Sequence, residues 1–265
     1  MSNGLDEWFQ TPAGSYLLAW ERVQYEQAVA DLFGYHALQL GMPQLDALQG
    51  NRMPHRWLAG NEARDEDDDA AANERIAIVT DFSALPFEEN SLDLVVLPHA
   101  LELSEDPHAT LREVERVLVP EGRVVISGLN PASLWGLRQR RAHLYRRLGF
   151  GVELFLPAAG EFIGYWRMRD WLRLLNFEVE SGRFGCYRPA VGSPRLLGRF
   201  EWMDRMGDRW WPIFGAVYFI VAVKRVRGVK LIGPVWKTAP KIAASPVTLA
   251  NRGGPSTYNR EEEVT

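Results

Sequence analysis

The chain has 265 residues, 46% of them hydrophobic, a formal net charge of −4 and one cysteine. That is enough apolar material for one α/β domain with a full core. The lone Cys186 excludes a disulfide framework and a thiolate metal cluster, and the acidic balance gives no global field for nucleic acid. The cysteine usage suits a reducing cytoplasm, and the first ten residues lack the basic-then-apolar layout of a secretory signal, so a cytoplasmic protein is expected. The longest apolar stretch, Trp210 to Val223, has 14 residues interrupted by Pro212 and Gly215; a membrane-spanning helix needs roughly 20. The charge is uneven: residues 62–74 hold seven carboxylates against one arginine, and 224–241 hold six basic residues and no acidic one.

In chain order, residues 12–33 read as a helix with an apolar stripe through Tyr16, Leu17, Trp20, Val23, Gln27 and Ala30 to Leu32. Tyr35 to Leu40 is a short extended run stopped by Gly41 and Pro43. A helix or turn over 44–49 and a strand over His55 to Ala59 follow. Gly60 to Glu74 is an acidic, aperiodic segment that reads as a solvated loop. Ile76 to Thr80 and Leu92 to Leu97 are apolar runs of strand character. The next helix is well signalled: Asp106 is the N-cap, Pro107 the first helical residue, and Leu111, Val114 and Leu118 mark its inner face. Pro120-Glu121-Gly122 ends it, and Arg123 to Ser127 is a strand. Strand, helix, strand with continuous apolar strands predicts a parallel sheet covered on both faces. A helix over Arg169 to Leu175, a short strand over Phe177 to Glu180 and a last strand over Ala216 to Val223 complete the pattern. We expect one domain over 1–230, cap segments at about 135–165 and 181–211, and a disordered tail over 231–265.

Asp81-Phe82-Ser83-Ala84-Leu85-Pro86-Phe87, then Asn90 to Val96, His99-Ala100-Leu101-Glu102, Asp106-Pro107, Leu111 to Leu118, Pro120-Glu121-Gly122 and Arg123 to Ser127 resemble the class I methyltransferase family often called type 11. These roughly 47 contiguous residues keep several motifs in order and at the right spacing, and residues 164–180 and 212–224 resemble the family's closing helix and last strands. The resemblance implies a doubly wound, mostly parallel seven-stranded sheet with a helical cap. It also implies S-adenosylmethionine as cofactor across the C-terminal strand ends, where the crevice of an open α/β sheet lies in any case.

Carried onto this chain, the resemblance puts Asp81 and Phe82 at the adenine. The alternative reading of Asp81 is an Asx turn at a strand end. Gln39 and Gly41 match the acidic and first glycine positions of the family's cofactor loop, so Gln39, Gly41, Asp81 and Phe82 are the expected cofactor-binding residues. Pro43 and Leu45 stand where two further glycines belong; proline deletes an amide and leucine adds bulk. At the end of the second strand only Asn61, with Glu62 beside it, stands for the expected acidic residue. His99 is the catalytic candidate, with the right intrinsic pKa for a base, against the alternative of a strand-end cap; Glu102 is a lesser candidate. No metal site is expected: Asp65, Asp67 and Asp69 alternate as in a calcium loop, but Ala70 and Ile76 stand where glycine and glutamate are required.

Two arginine sets, Arg138 to Arg147 and Arg183 to Arg209, fall in the cap, the second interleaved with aromatic residues. They read either as a grip for an anionic ligand or surface or as a solvated amphipathic cover paired with Glu201, Asp204 and Asp208. The leading function is methyl transfer to a small-molecule or lipid-like acceptor beneath the cap, with weak, salt-sensitive contact with an anionic membrane surface and no specific nucleic acid. The alternatives are a methyltransferase-like binding protein without turnover and an RNA-modifying methyltransferase.

Overall fold

A computed structural model of the protein describes residues 3–61, 76–152, 154–156 and 162–226. The chain opens with helices α1 (Asn3–Gln10) and α2 (Pro12–Val29), then strands β1 (His36–Leu40), β2 (His55–Gly60), β3 (Ile78–Val79) and β4 (Leu92–Pro98). Helices α3 (Ala100–Leu103) and α4 (Pro107–Val117) lead into β5 (Leu118–Leu129) and α5 (Leu134–Arg147). Helix α6 (Tyr165–Leu174), β6 (Phe177–Gly185), α7 (Pro194–Arg199), α8 (Trp202–Trp210), a 3-10 turn at Pro212–Phe214 and β7 (Val217–Lys224) complete the order.

The seven strands form one sheet in the order β3-β2-β1-β4-β5-β7-β6. β1 pairs in parallel with both β2 and β4, and β7 runs antiparallel between β5 and β6. The expected seven-stranded, doubly wound α/β sheet is therefore the fold. Because successive strand residues point to opposite faces, Leu94, Val96, Val125, Phe219 and Val221 face one buried cluster, while Val95, Leu97, Val124, Ile126 and Ile220 face the other. Helices α1 and α2 close the first cluster, and α3, α4 and α6 close the second.

Asp106 caps α4 as its type demands: its carboxylate accepts from the Ala109 amide at 2.9 Å, with Pro107 at the first helical position. Several sequence expectations need correction. The buried stripe of α2 is Ala13, Leu17, Glu21, Tyr25 and Val29, whereas Val23 is 46% exposed; a four-residue spacing with a carboxylate at its centre does not register as an apolar stripe. Of the two readings for 44–49 the turn holds, while the 76–80 run is paired as strand only at Ile78–Val79. β5 begins at Leu118 rather than Arg123, because Pro120 to Gly122 form an irregularity within the strand, with Glu121 at φ 65°. β6 runs to Gly185, held in register against β7, so residues 181–185 are sheet and not cap. Helix α6 starts at Tyr165, before Arg169. The acidic residues 62–75 and the tail 231–265 lie outside the described residues.

Candidate functional site

The C-terminal ends of β1, β2, β3 and β4 bring residues 41, 61, 80 and 99 to one edge of the sheet, where the strand order switches direction between β1 and β4. At the end of β1, Gly41 and Met42 both take left-handed backbone conformations, φ 73° and 53°. A Cβ on Gly41 would meet the Phe82 ring at 3.7 Å, an ordinary contact. The backbone angle, not space, is what selects glycine there.

Gln39 explains why the loop does without an acidic residue. Its side chain is buried, and its amide nitrogen donates to the carbonyls of Gly41, Met42 and Leu45 at 3.1, 3.1 and 2.7 Å. Its amide oxygen accepts from the Ala47 N–H at 3.0 Å. A carboxylate at position 39 would confront three carbonyl oxygens with no proton to give. The loop carbonyls turn inward onto Gln39, and Met42, Leu45 and Leu48 enter the core beside Trp8 and Phe9.

The loop after β3 is fixed by α4. Glu113 accepts from the Leu85 amide at 2.9 Å, and Arg116 binds Glu113 and donates to the carbonyls of Leu85 and Phe87. Within this loop Asp81 is exposed, and its carboxylate accepts from the Ser83 amide at 2.8 Å, so the Asx-turn geometry is present. The bonds from Ser83 hold its pKa below the usual carboxylate value. Phe82 is buried, packed on Gly41 and in the cluster that contains Ala100.

His99 follows β4 in a left-handed conformation, φ 51°, its amide donating to the Ser127 carbonyl. The side chain is fully buried. Nδ1 bonds Glu102 Oε2 at 2.7 Å, and Nε2 lies 2.9 Å from Glu21 Oε1 in a charge contact without hydrogen-bond alignment. Glu102 also accepts from the Leu129 amide, which ties this group to the end of β5. Burial by itself lowers the imidazole pKa, but the Glu21 and Glu102 carboxylates outweigh it and push it up to about 10. At neutral pH His99 is thus an imidazolium with no lone pair to accept a proton. Glu21 arrives from α2, 78 positions upstream and far from the motif strands; its placement in the Leu17–Tyr25 stripe is the one sequence signal of its burial.

The structure brings Gly41, Phe82 and the segment from His99 to Ala100 together, and keeps Asp81 and Asn61 exposed at neighbouring strand ends. Among the described residues no group of three or more His, Cys, Asp or Glu side chains is arranged to hold a metal ion, and Asp65, Asp67 and Asp69 lie outside them. The two cap segments meet: Trp135 Nε1 donates to the Arg188 carbonyl at 2.7 Å, and Arg138 donates to that of Ala190.

A methyltransferase-domain family model matches residues 59–126. The uncharacterized protein YafS of Escherichia coli strain K12 is 32% identical over 223 residues, covering 83% of this chain and 81% of that one. The chain belongs to the class I S-adenosylmethionine-dependent methyltransferase family. A malonyl-[acyl-carrier protein] O-methyltransferase of Halorhodospira halophila is 39% identical over 149 residues, and this methyltransferase spans half of that protein's length. An S-adenosylmethionine-dependent methyltransferase of Thermotoga maritima superposes with a TM-score of 0.53 at 15% identity, covering 84% of this chain and 96% of that one, a likeness of fold alone.

Polar groups that fit the family's cofactor stand at these strand ends: the exposed Asp81 carboxylate, the exposed Asn61 amide and the left-handed turn at Gly41. At the β4 end the fit is tighter: His99 and Glu102 are enclosed by Phe9 and Glu21 from the N-terminal helices. No helix among the described residues is long and apolar enough to cross a membrane.

Proposed function

We propose that this methyltransferase moves a methyl group from S-adenosylmethionine to a small-molecule or lipid-like acceptor whose accepting atom is a carboxylate oxygen. The observation that carries the acceptor class is His99 buried between the Glu21 and Glu102 carboxylates at the end of β4, a setting that raises its pKa and so suits it poorly to act as a base. The cofactor supplies a methyl group already activated on a sulfonium, so the protein has to align the acceptor and exclude water. A general base is needed only where the acceptor begins protonated. A carboxylate is already deprotonated at neutral pH and asks nothing of His99. The malonyl-[acyl-carrier protein] relative, an O-methyltransferase by name, supports an acyl carboxylate.

In this reading Asp81 would hold the adenine amine, Asn61 the ribose side and Gly41 the close backbone approach. Phe82 would support that wall from beneath, while α1 and α2 keep water from the β4 end. The experiment is incubation of the full chain with methyl-labelled S-adenosylmethionine and short dicarboxylic half-thioesters, free or on an acyl carrier. Label recovered as a methyl ester supports the reading; label on an amine or a nucleic acid overturns the acceptor class.

A second reading, a methyltransferase-like protein that binds without turnover, is favoured by the loop after β1. There Gln39 is spent on backbone carbonyls, and Leu45, where the family has glycine, is fully buried in the core. Cofactor binding with no transfer to any acceptor would select it.

A further inference from the structure

We propose that the outward faces of α8 and α5, with the turn after α8, dock this protein on an anionic membrane surface. The inference rests on surface chemistry and holds whether or not the methyl-transfer reading does.

Trp202, Met206 and Trp210 recur every four residues and form one stripe along α8. Trp202 is 55% and Trp210 67% exposed, and the apolar surface continues through Trp211, Ile213 and Phe214, the last 52% exposed. The stripe cannot turn inward. Gly207, off the stripe on the buried side of α8, packs so closely on Tyr187 that a Cβ there would lie 2.2 Å from the ring. Asp204 is fixed inside too, bound to Tyr16, the Tyr187 amide and Arg188.

Arg205 and Arg209, again four residues apart, line the stripe on its outer side, and Arg195 and Arg199 add charge from α7. All four are exposed, and none has a carboxylate or carbonyl partner among the described residues. The exposed acids of this edge are Glu201 and Asp208, so it stays net positive. α5 repeats the arrangement. Trp135, Gln139 and Ala142 face the core, Leu137, Leu144 and Leu148 face out, and Arg140, Arg141, Arg146 and Arg147 flank them with no acidic residue in the helix.

Indole rings with a polar edge beside long arginine stems are the chemistry of the bilayer interface, where apolar bodies enter the acyl boundary and guanidinium groups meet phosphates. An RNA duplex would satisfy the arginines but offers no apolar surface to the tryptophans. A second copy of the chain would cover the tryptophans but would set arginine against arginine.

The test is co-sedimentation of the full chain with vesicles of phosphatidylcholine alone and of equimolar phosphatidylcholine and phosphatidylglycerol, at low and physiological salt, with tryptophan emission recorded. Binding to the anionic vesicles only, with a blue shift and with weakening as salt rises, is expected. Trp202→Ala with Trp210→Ala should abolish the blue shift and most of the binding. Arg205→Gln and Arg209→Gln should each weaken binding about fivefold. Arg112→Gln on α4 should change nothing, and melting temperatures should stay within a few degrees because the altered side chains are exposed. Equal affinity for neutral vesicles, no sedimentation with anionic ones, or unaltered binding by the double tryptophan variant overturns the proposal. So does self-association that the double variant abolishes in the absence of vesicle binding, or RNA-duplex binding that survives physiological salt.

Discussion

His99 Nε2 lies 2.9 Å from Glu21 Oε1, and both side chains are fully buried. This contact ties α2 to the end of β4, at the edge of the sheet where the family's cofactor crosses. It also sets a pH dependence. The unfolded chain releases the His99 proton near 6.5, the folded one near 10. Below about 6.5 both states hold the proton and the stabilisation is fully present. Between the two values the folded state holds the extra proton, so stability falls as pH rises, and the contribution is lost above the folded value. Urea unfolding from pH 6 to 9 should show wild-type stability declining with rising pH, on the order of 1 kcal/mol per pH unit from this group. Glu21→Gln should flatten the decline. Parallel slopes in the two proteins would mean that Glu21 does not hold the proton on His99.

Gln39→Glu restores the acidic residue typical of the family, yet it should destabilise this chain by about 2 kcal/mol or more. The new carboxylate would face the carbonyls of Gly41, Met42 and Leu45 without a donor. Thermal unfolding measures it, and a melting temperature equal to or above the wild type's would show that the loop carbonyls can turn away.

Asp106→Ala removes the cap of α4, whose side chains also hold the Asp81 loop. A loss of about 1 kcal/mol is expected, read as a lower urea midpoint with an unchanged slope. A loss below a few tenths would mean that Pro107 alone defines the helix start.

Calcium should leave the melting temperature unchanged, since the 65–69 aspartates lack the glycine and glutamate of a calcium loop. A calcium-dependent rise would contradict that reading.

The sheet was legible because its strands are uninterrupted apolar runs, and α4 because Asp106-Pro107 states its start in side-chain chemistry. The limits came from interactions distant in sequence. β6 extends to Gly185 because β7 offers a full antiparallel partner, which no local pattern in Arg183-Phe184-Gly185 announces. β5 passes through Pro120 to Gly122 because a local irregularity absorbs them. Gln39 reads as a defect against the family pattern until three carbonyls are seen converging on it, and Glu21 reads as a surface charge until His99 is found against it. Both are polar groups whose burial only tertiary packing can justify. The arginine-aromatic cap was visible as composition, but which arginines are paired inward, Arg138 and Arg188, and which face out depends on the packing of α5 and α8.

The central claim is that the strand ends at Gly41, Asn61 and Asp81 form a working S-adenosylmethionine site. Calorimetric titration of the full chain with S-adenosylmethionine, in parallel on wild type and Asp81→Ala, tests it most directly. The wild type should bind and gain melting temperature with ligand, as a ligand selective for the native state requires. Asp81→Ala, whose carboxylate is exposed and bonds Ser83 within its own loop, should bind at least tenfold more weakly, on the order of 1.4 kcal/mol. No heat and no melting shift in the wild type at millimolar cofactor, or equal affinity in the two proteins, would contradict the account.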